Sequence, residues 1–395
     1  MTRASDMWDV DPGSYLVSRY GSGIKALVDH GTPASPARGM VIEDARTNYL
    51  LESSFVAGVG GWTESGGGAG AAIAAEAPAD PLFDPTVSGN CLKVTMGDAS
   101  SDHVAISLNA AVNIAGIHRL SIDHRDDSGA TFYWRMRRGS DTWFYRDDTG
   151  AWQAGAFDNP MTVRTSRARD VSKPIDFGAS TGINFTMRQL AGGSASRVNR
   201  IYHVQLEDGY AVTSRMVTGS VAGTTRALAT YKYAHTTTKR GILPTNGAWQ
   251  GKWTPFFSSG DNSSGTVTIW EIVFDANNLF RLQYNAATGN MEFVIRQGGT
   301  STTATKSVSL TRDTEVDLAV RWTSTVGELG LTARTHSVFV NGVKGTDATR
   351  AADPSEGTAD LYMGGSSTVG ANGRLRRWCW RPVCLRDEEI SRGMP

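Results

Sequence analysis

Chemistry in this chain would have to come from a few short clusters. The densest is aromatic: Trp134, Trp143, Tyr145 and Trp152, with Arg135, Arg137 and Arg146 and the acids Asp147 and Asp148 between them. Flat rings exposed on neighbouring strands stack on the apolar faces of sugars, and charged groups at the edge meet the hydroxyls. Buried, the same rings are simply core. Alternation sorts them. Trp134 shares a face with Phe132 and Met136, which marks it as core. Trp143 and Tyr145 share a face with each other, and Trp152 follows the turn. The candidate glycan-binding set is therefore Trp143, Tyr145, Asp147, Asp148 and Trp152.

Other clusters point to less. The loop pairs Asp126-Asp127 and Asp147-Asp148 offer oxygens of the kind calcium takes, and read equally as solvated acids. Calcium is the one cofactor entertained; no other is expected. Glu271 and Asp275, four apart on a strand, share a face as an ion or substrate pair, or as a hairpin-edge salt bridge. His103, His118 and His124 lack the spacing of a metal site, and no histidine accompanies a G-x-S-x-G elbow. Cys91, Cys379 and Cys384 form neither a disulfide framework nor a zinc site. The run from Gly66 to Ala71 fits a nucleotide loop only formally, because no strand–loop–helix unit surrounds it.

The elements that would hold these residues are strands. Cys91–Met96, Leu120–His124, Phe132–Met136, Ile183–Met187 and Ile201–Leu206 alternate or are strand-like. So do Phe280–Tyr284 and Met291–Ile295; Val267–Phe274 is apolar enough to be covered on both faces, and Val316–Trp322 is another strand. Three turns stand out: Asp147–Gly150, Asn285–Asn290 and Asn341-Gly342. The last is the dipeptide of a tight type I′ hairpin. The chain reads as all-β, with two antiparallel sandwiches in tandem after a short arm. Residues 1–51 form the arm and attachment segment, 52–212 the first sandwich, 213–223 a Ser/Thr/Gly linker and 224–395 the second sandwich. The arm is expected to dock on another chain or on the first sandwich. With 39 basic and 39 acidic residues the chain has no electrostatic footprint for nucleic acid. No apolar run is long enough to insert into a membrane, and no leader peptide is expected.

One stretch organises the whole: Gly39-Met-Val-Ile-Glu-Asp-Ala-Arg-Thr-Asn-Tyr-Leu-Leu51. Glu43 and Arg46 can pair across a turn, and Asn48 can satisfy turn backbone groups. The stretch resembles a signature of bacteriophage fibre, spike and tail-associated proteins. Thr2-Arg3-Ala4-Ser5 resembles the opening of such chains. Gln205-Leu206-Glu207-Asp208-Gly209 and Ala211–Ser214 resemble the close of their jelly roll, which is similar to a carbohydrate-binding module. The order of elements after residue 224, with Val340-Asn341-Gly342 and the acidic turn Leu385–Ile390, resembles a concanavalin A-like (laminin G-like) sandwich. Some such sandwiches are glycoside hydrolases with E-x-D-x-E on a strand. Here Glu315 and Asp317 fill two positions and Ala319 the third, so the acid/base is missing and no enzyme is expected. The resemblance implies a virion protein assembled in the bacterial host cytoplasm. It would be a homotrimer, attached to other virion proteins through its arm and binding a host-surface polysaccharide. The alternatives are a purely structural decoration or collar protein, and a polysaccharide-degrading enzyme.

Overall fold

The alternating segments become strands of antiparallel sheets, and among the described residues the chain is all-β apart from one short helix, Asp387–Ser391. The structure is a computed structural model. It describes residues 7–10, 17–20, 40–42, 46–50, 55, 59, 61–65, 72–76, 90–96, 103–108, 114–129, 131–138, 142–179, 182–188, 197–211, 224–226, 231–236, 243–261, 265–325, 334–355, 358–364, 371–381 and 383–392.

The chain divides into two compact units, residues 46–226 and residues 1–45 with 227–395. In the 46–226 unit, one sheet runs Ala151–Ala154, Trp143–Arg146, Tyr133–Arg138, Ile183–Arg188, His103–Leu108, Thr63–Ser65. The other is built around Ile117–Asp126 and Arg197–Asp208, the closing strand. Their inward residues form one core: Trp62, Leu120, Ile122, Trp134, Met136, Phe185, Met187, Val204 and Leu206 are all buried. The expected sharing of a face by Phe132, Trp134 and Met136 is what the structure shows.

The other unit pairs a sheet centred on Thr266–Asp275 and Asn278–Asn285 with one centred on Gly247–Pro255 and Val316–Trp322. Trp249, Trp253, Trp270, Trp322, Phe280 and Phe293 fill its centre. Val316–Trp322 is covered on its second face too. There Ala248, Ala319 and Phe339 pack under Leu385 and Ile390 of the helical segment. Arg321 is buried at this seam. It pairs with Asp387, donates to the Leu385 carbonyl at 2.8 Å and lies over the Phe339 ring. The turns also form as read. Asn341 and Gly342 have φ of 50° and 73° between paired Val340 and Val343. Such angles at both central residues define the primed turn that matches strand twist. Gly150 and Gly289 take φ of 75° and 67° in their hairpins.

The N-terminal arm requires a correction. Strand Met40–Ile42 does not belong to an arm on the first sandwich. It pairs with Gly373–Leu375 at the edge of a sheet in the 1–45/227–395 unit. Gly373 is suited to the spot, because a Cβ there would lie 2.6 Å from the Thr254 carbonyl oxygen. The chain enters and leaves the other unit on neighbouring strands: Arg46–Asn48 pairs with Thr224–Arg226. The first sandwich is thus an insertion within the second, rather than the first of two beads. The expected linker, 213–223, lies outside the described residues.

This topology changes the outcome of proteolysis. A single cut within 213–223 leaves Met40–Ile42 and Arg46–Asn48 on one fragment, with their partners Gly373–Leu375 and Thr224–Arg226 on the other. The two fragments are expected to elute together at the intact size and to separate only in denaturant. Free separation in native buffer would show that these pairings do not hold the units.

Candidate functional site

The aromatic hairpin is strand Trp143–Arg146, a turn at Asp147–Gly150, and strand Ala151–Ala154. Trp143 faces Ala154, and Tyr145 faces Trp152. The next strand inward, Tyr133–Arg138, meets it at Arg137 opposite Phe144.

The candidate residues part company here. Trp143 is 42% exposed, whereas Tyr145 is fully buried. Tyr145 stacks on Trp134 with centroids 6.1 Å apart, meets Trp152 edge-on at 5.6 Å and donates its hydroxyl to the Pro174 carbonyl at 3.0 Å. It is core, so it offers no face to a ligand. Trp152 is half-buried. Its Nε1 donates to the Asp176 carbonyl at 2.7 Å, and its ring packs on Phe177 at 5.3 Å. The two side chains do share a face, but the core covers that face at Tyr145 and not at Trp143.

Arg138 completes the rim. Its guanidinium lies 5.6 Å from the Trp143 ring centroid and 5.1 Å from that of Trp152. A cation between two indoles is held by their electron-rich faces. Sequence reasoning passed over Arg138, yet parity places it on the face of Trp134 and Met136, one step beyond the core.

The two acids build the turn. The Asp147 carboxylate accepts the Lys173 amide at 2.6 Å, and its own amide donates to Asn159 Oδ1 at 2.7 Å. Asn159 Nδ2 in turn donates to the Tyr145 carbonyl at 3.0 Å. Burial raises the Asp147 pKa, against the pull of the Lys173 amide and ammonium. Asp148 is ion-paired to Arg146, whose hydrogen bond is the main cause of a pKa below the ordinary carboxylate value. Its Oδ1 also accepts the Thr149 amide at 2.8 Å. Both acids already serve this chain's own groups.

Calcium does not fit these pairs as they stand. A calcium site gathers six to eight oxygens. Asp147 and Asp148 face different partners. Asp126 Oδ1 accepts from Ser128 N and Oγ, each at 2.9 Å, and Asp127 pairs with Arg125 at 2.7 Å. Among the described residues no three His, Cys, Asp or Glu side chains converge.

The acids of the second sandwich are also engaged. Glu271, buried, takes the Arg281 Nε at 2.9 Å from the register partner strand. Asp275 instead accepts from Asn278 Nδ2 at 2.8 Å. A register shift between Val273 and Asp275 breaks the expected sharing of a face. Asp317 pairs with Lys252 at 2.6 Å, and Glu315 with Arg376.

The organising stretch proves to be a latch. Glu43 lies outside the described residues, so its pairing with Arg46 does too. Arg46 sits in strand Arg46–Asn48, opposite Arg226. Asn48 is fully buried, and its Oδ1 accepts the amides of Leu50 at 3.2 Å and Leu206 at 3.1 Å. The Tyr49 amide donates to the Leu206 carbonyl at 2.8 Å, and the Thr47 amide to Asp208 Oδ1 at 2.8 Å. Two stretches far apart in sequence, Arg46-Thr47-Asn48 and Gln205–Asp208, close the sandwich together. Their role here is structural.

No protein-family model matches the chain, and no curated protein matches it. Similar solved structures include the CBM40 of a Ruminococcus gnavus IT-sialidase, 14% identical, covering 38% of this chain and 83% of that one at a TM-score of 0.31. The tandem CBM22-1–CBM22-2 domain of Paenibacillus barcinonensis Xyn10C is 9% identical and covers 85% of this chain and 98% of that one, at 0.30. Domains LG4-5 of the mouse laminin alpha1 chain are 11% identical and cover 73% and 89%, at 0.28. These scores are too low to carry any residue's role onto this chain.

Proposed function

We propose that this chain is a phage virion protein of the fibre or spike class whose first sandwich binds a host-surface glycan at the Trp143 rim. One observation carries the binding reading. Trp143 is the single large aromatic side chain left exposed among the described residues, and Arg138 backs its ring. An indole held flat at a rim suits the apolar face of a sugar. The virion assignment is supported by the Gly39–Leu51 stretch and the Gln205–Gly209 close. It carries with it a homotrimer, attachment to other virion proteins and a place in the virion. The chain acts as a binding protein and not as an enzyme, a reading supported by the ion-paired Glu315 and Asp317 and by Ala319 at the third position.

The test is Trp143→Ala, assayed on glycan arrays and by adsorption of particles to host cells. Folding should be unchanged, since the ring is exposed. Monovalent glycan affinity should fall about tenfold, the effect of roughly 1.4 kcal/mol, and several copies on one particle would magnify the loss through avidity. Unaltered glycan binding by a folded variant would remove Trp143 from the site. Sandwiches that bind no glycan at all would leave a purely structural virion role.

A further inference from the structure

The polar residues of the hairpin stand on the face opposite its aromatic core. Arg135 and Arg137 lie there on one strand, Phe144 and Arg146 on the next, Gln153 beyond them, and Asn184 and Arg188 on the other side. Four guanidiniums on this face meet two carboxylates. Arg135 grips Asp158 side-on, with Nε at 2.9 Å and Nη2 at 2.8 Å. Arg188 shares Asp158 at 3.7 Å. Arg146 pairs with Asp148 and donates to Gln153 Oε1 at 3.2 Å.

Arg137 differs from the other three. Among the described residues its side chain makes no ion pair or hydrogen bond, and its Nε, like that of Arg188, is shut off from solvent without an acceptor. Its two terminal nitrogens are not closed off in this way, so the guanidinium presents an uncompensated charge on this face. The closed Nε is out of reach of a ligand as it is of water. A carboxylate would instead meet the two terminal nitrogens end-on, a bidentate pairing that the planar guanidinium favours. The register neighbours of Arg137 are Phe144 and Asn184. Asn184 is half-buried, and its amide makes no hydrogen bond among the described residues. A guanidinium for a carboxylate, a neutral amide for a hydroxyl and an apolar ring alongside make a site for an acidic sugar, not for a bare inorganic anion.

We propose that this outer face binds the carboxylate of an acidic saccharide, with Arg137 as the anion-binding group and Asn184 as a hydroxyl partner. The inference does not rest on the Trp143 reading, because the two residues project from opposite faces of the hairpin. Neutral glycans report on Trp143. The difference between an acid and its ester reports on Arg137.

The experiment is titration calorimetry on the full chain, using oligogalacturonate, its fully methyl-esterified form, and inorganic phosphate. Wild type is expected to bind the acid at least tenfold more tightly than the ester, and phosphate to compete weakly. Arg137→Met keeps the side chain's apolar stem and should bring the acid down to the affinity of the ester. Arg137→Lys keeps the charge without the planar fork and should recover only part of it. Melting curves check that each variant is folded. Equal affinity for acid and ester, or an Arg137→Met protein that binds the acid like wild type, overturns the proposal. Phosphate binding as tight as the saccharide would show a simple anion site and overturn the saccharide assignment. Should Arg137→Met fail to fold, Arg137→Lys decides: undiminished acid binding by that variant also overturns it.

Discussion

Trp322→Ala is expected to destabilise the second sandwich by about 3–5 kcal/mol, the range for removing a large aromatic from a packed core. The indole is fully buried. Its ring lies 5.1 Å from Phe280, 5.9 Å from Phe293 and 6.4 Å from Trp380, so it joins both sheets of the unit. Its Nε1 donates to the Leu243 carbonyl at 2.7 Å, which the alanine variant leaves without that donor. The backbone makes room for the ring: a Cβ on Gly247 would lie 2.3 Å from Trp322 Cζ2. Such an interface cannot collapse onto the void without moving two sheets. Urea unfolding of the variant should show an early transition for this sandwich alone, with the 46–226 unit unfolding as in wild type. The exposed Trp143, replaced in the same way, should shift stability by less than about 0.5 kcal/mol. A Trp322→Ala protein within about 1 kcal/mol of wild type would mean that the two sheets are not joined at this residue.

The contrast between these two tryptophans shows what the sequence could reveal. Alternation gives parity, and the strands keep that parity along 132–136 and 143–145. It does not say which stretch of a face the opposing sheet will cover. Tyr145 and Trp143 have one parity and opposite burial, and only tertiary packing separates them. Glu271 and Asp275 show a second limit, because one register shift between them undoes the counting. Turns were legible because their cause is local. Asn341-Gly342 takes positive φ wherever it lies, and the hairpin follows from the two residues themselves. The pairing of Met40–Ile42 with Gly373–Leu375 has no local cause. Nothing in three apolar residues specifies a partner so far along the chain, so the insertion of one sandwich in the other was invisible. Arg137 was visible only as one basic residue among several. Its lack of a carboxylate is a fact about Asp158 and Asp148, which chose its neighbours.

Acid should unfold the second sandwich before the first, and His336 is the reason. The imidazole is fully buried and edge-on to Phe293 at 5.6 Å, and among the described residues neither ring nitrogen makes a hydrogen bond of good geometry. Burial is the main cause that lowers its pKa from 6.5 to about 4, and the Arg350 guanidinium adds to it; the Thr302 backbone and Asp347 pull the other way and lose. Arg350 is itself buried, with Asp353 at 2.6 Å. Above pH 6.5 His336 is neutral folded and unfolded, and stability does not depend on it. Between pH 6.5 and about 4 the unfolded chain takes the proton and the folded one does not. Stability therefore falls with pH across that window, by about 3 kcal/mol in all. In the first sandwich Asp170 titrates lower. Burial would raise the Asp170 pKa, but hydrogen bonds from His124, the Thr162 amide and Arg164 outweigh it and bring it from 3.8 to about 2. That contribution is complete above pH 3.8 and is lost only as pH falls towards 2. Urea unfolding at pH 7, 5.5 and 4.5 should show the second sandwich weakening while the first holds. His336→Phe keeps a ring against Phe293 and removes the titration, so its second sandwich should lose most of this pH dependence. A wild-type second sandwich equally stable at pH 7 and 4.5 would rule out a neutral, buried His336 as the trigger.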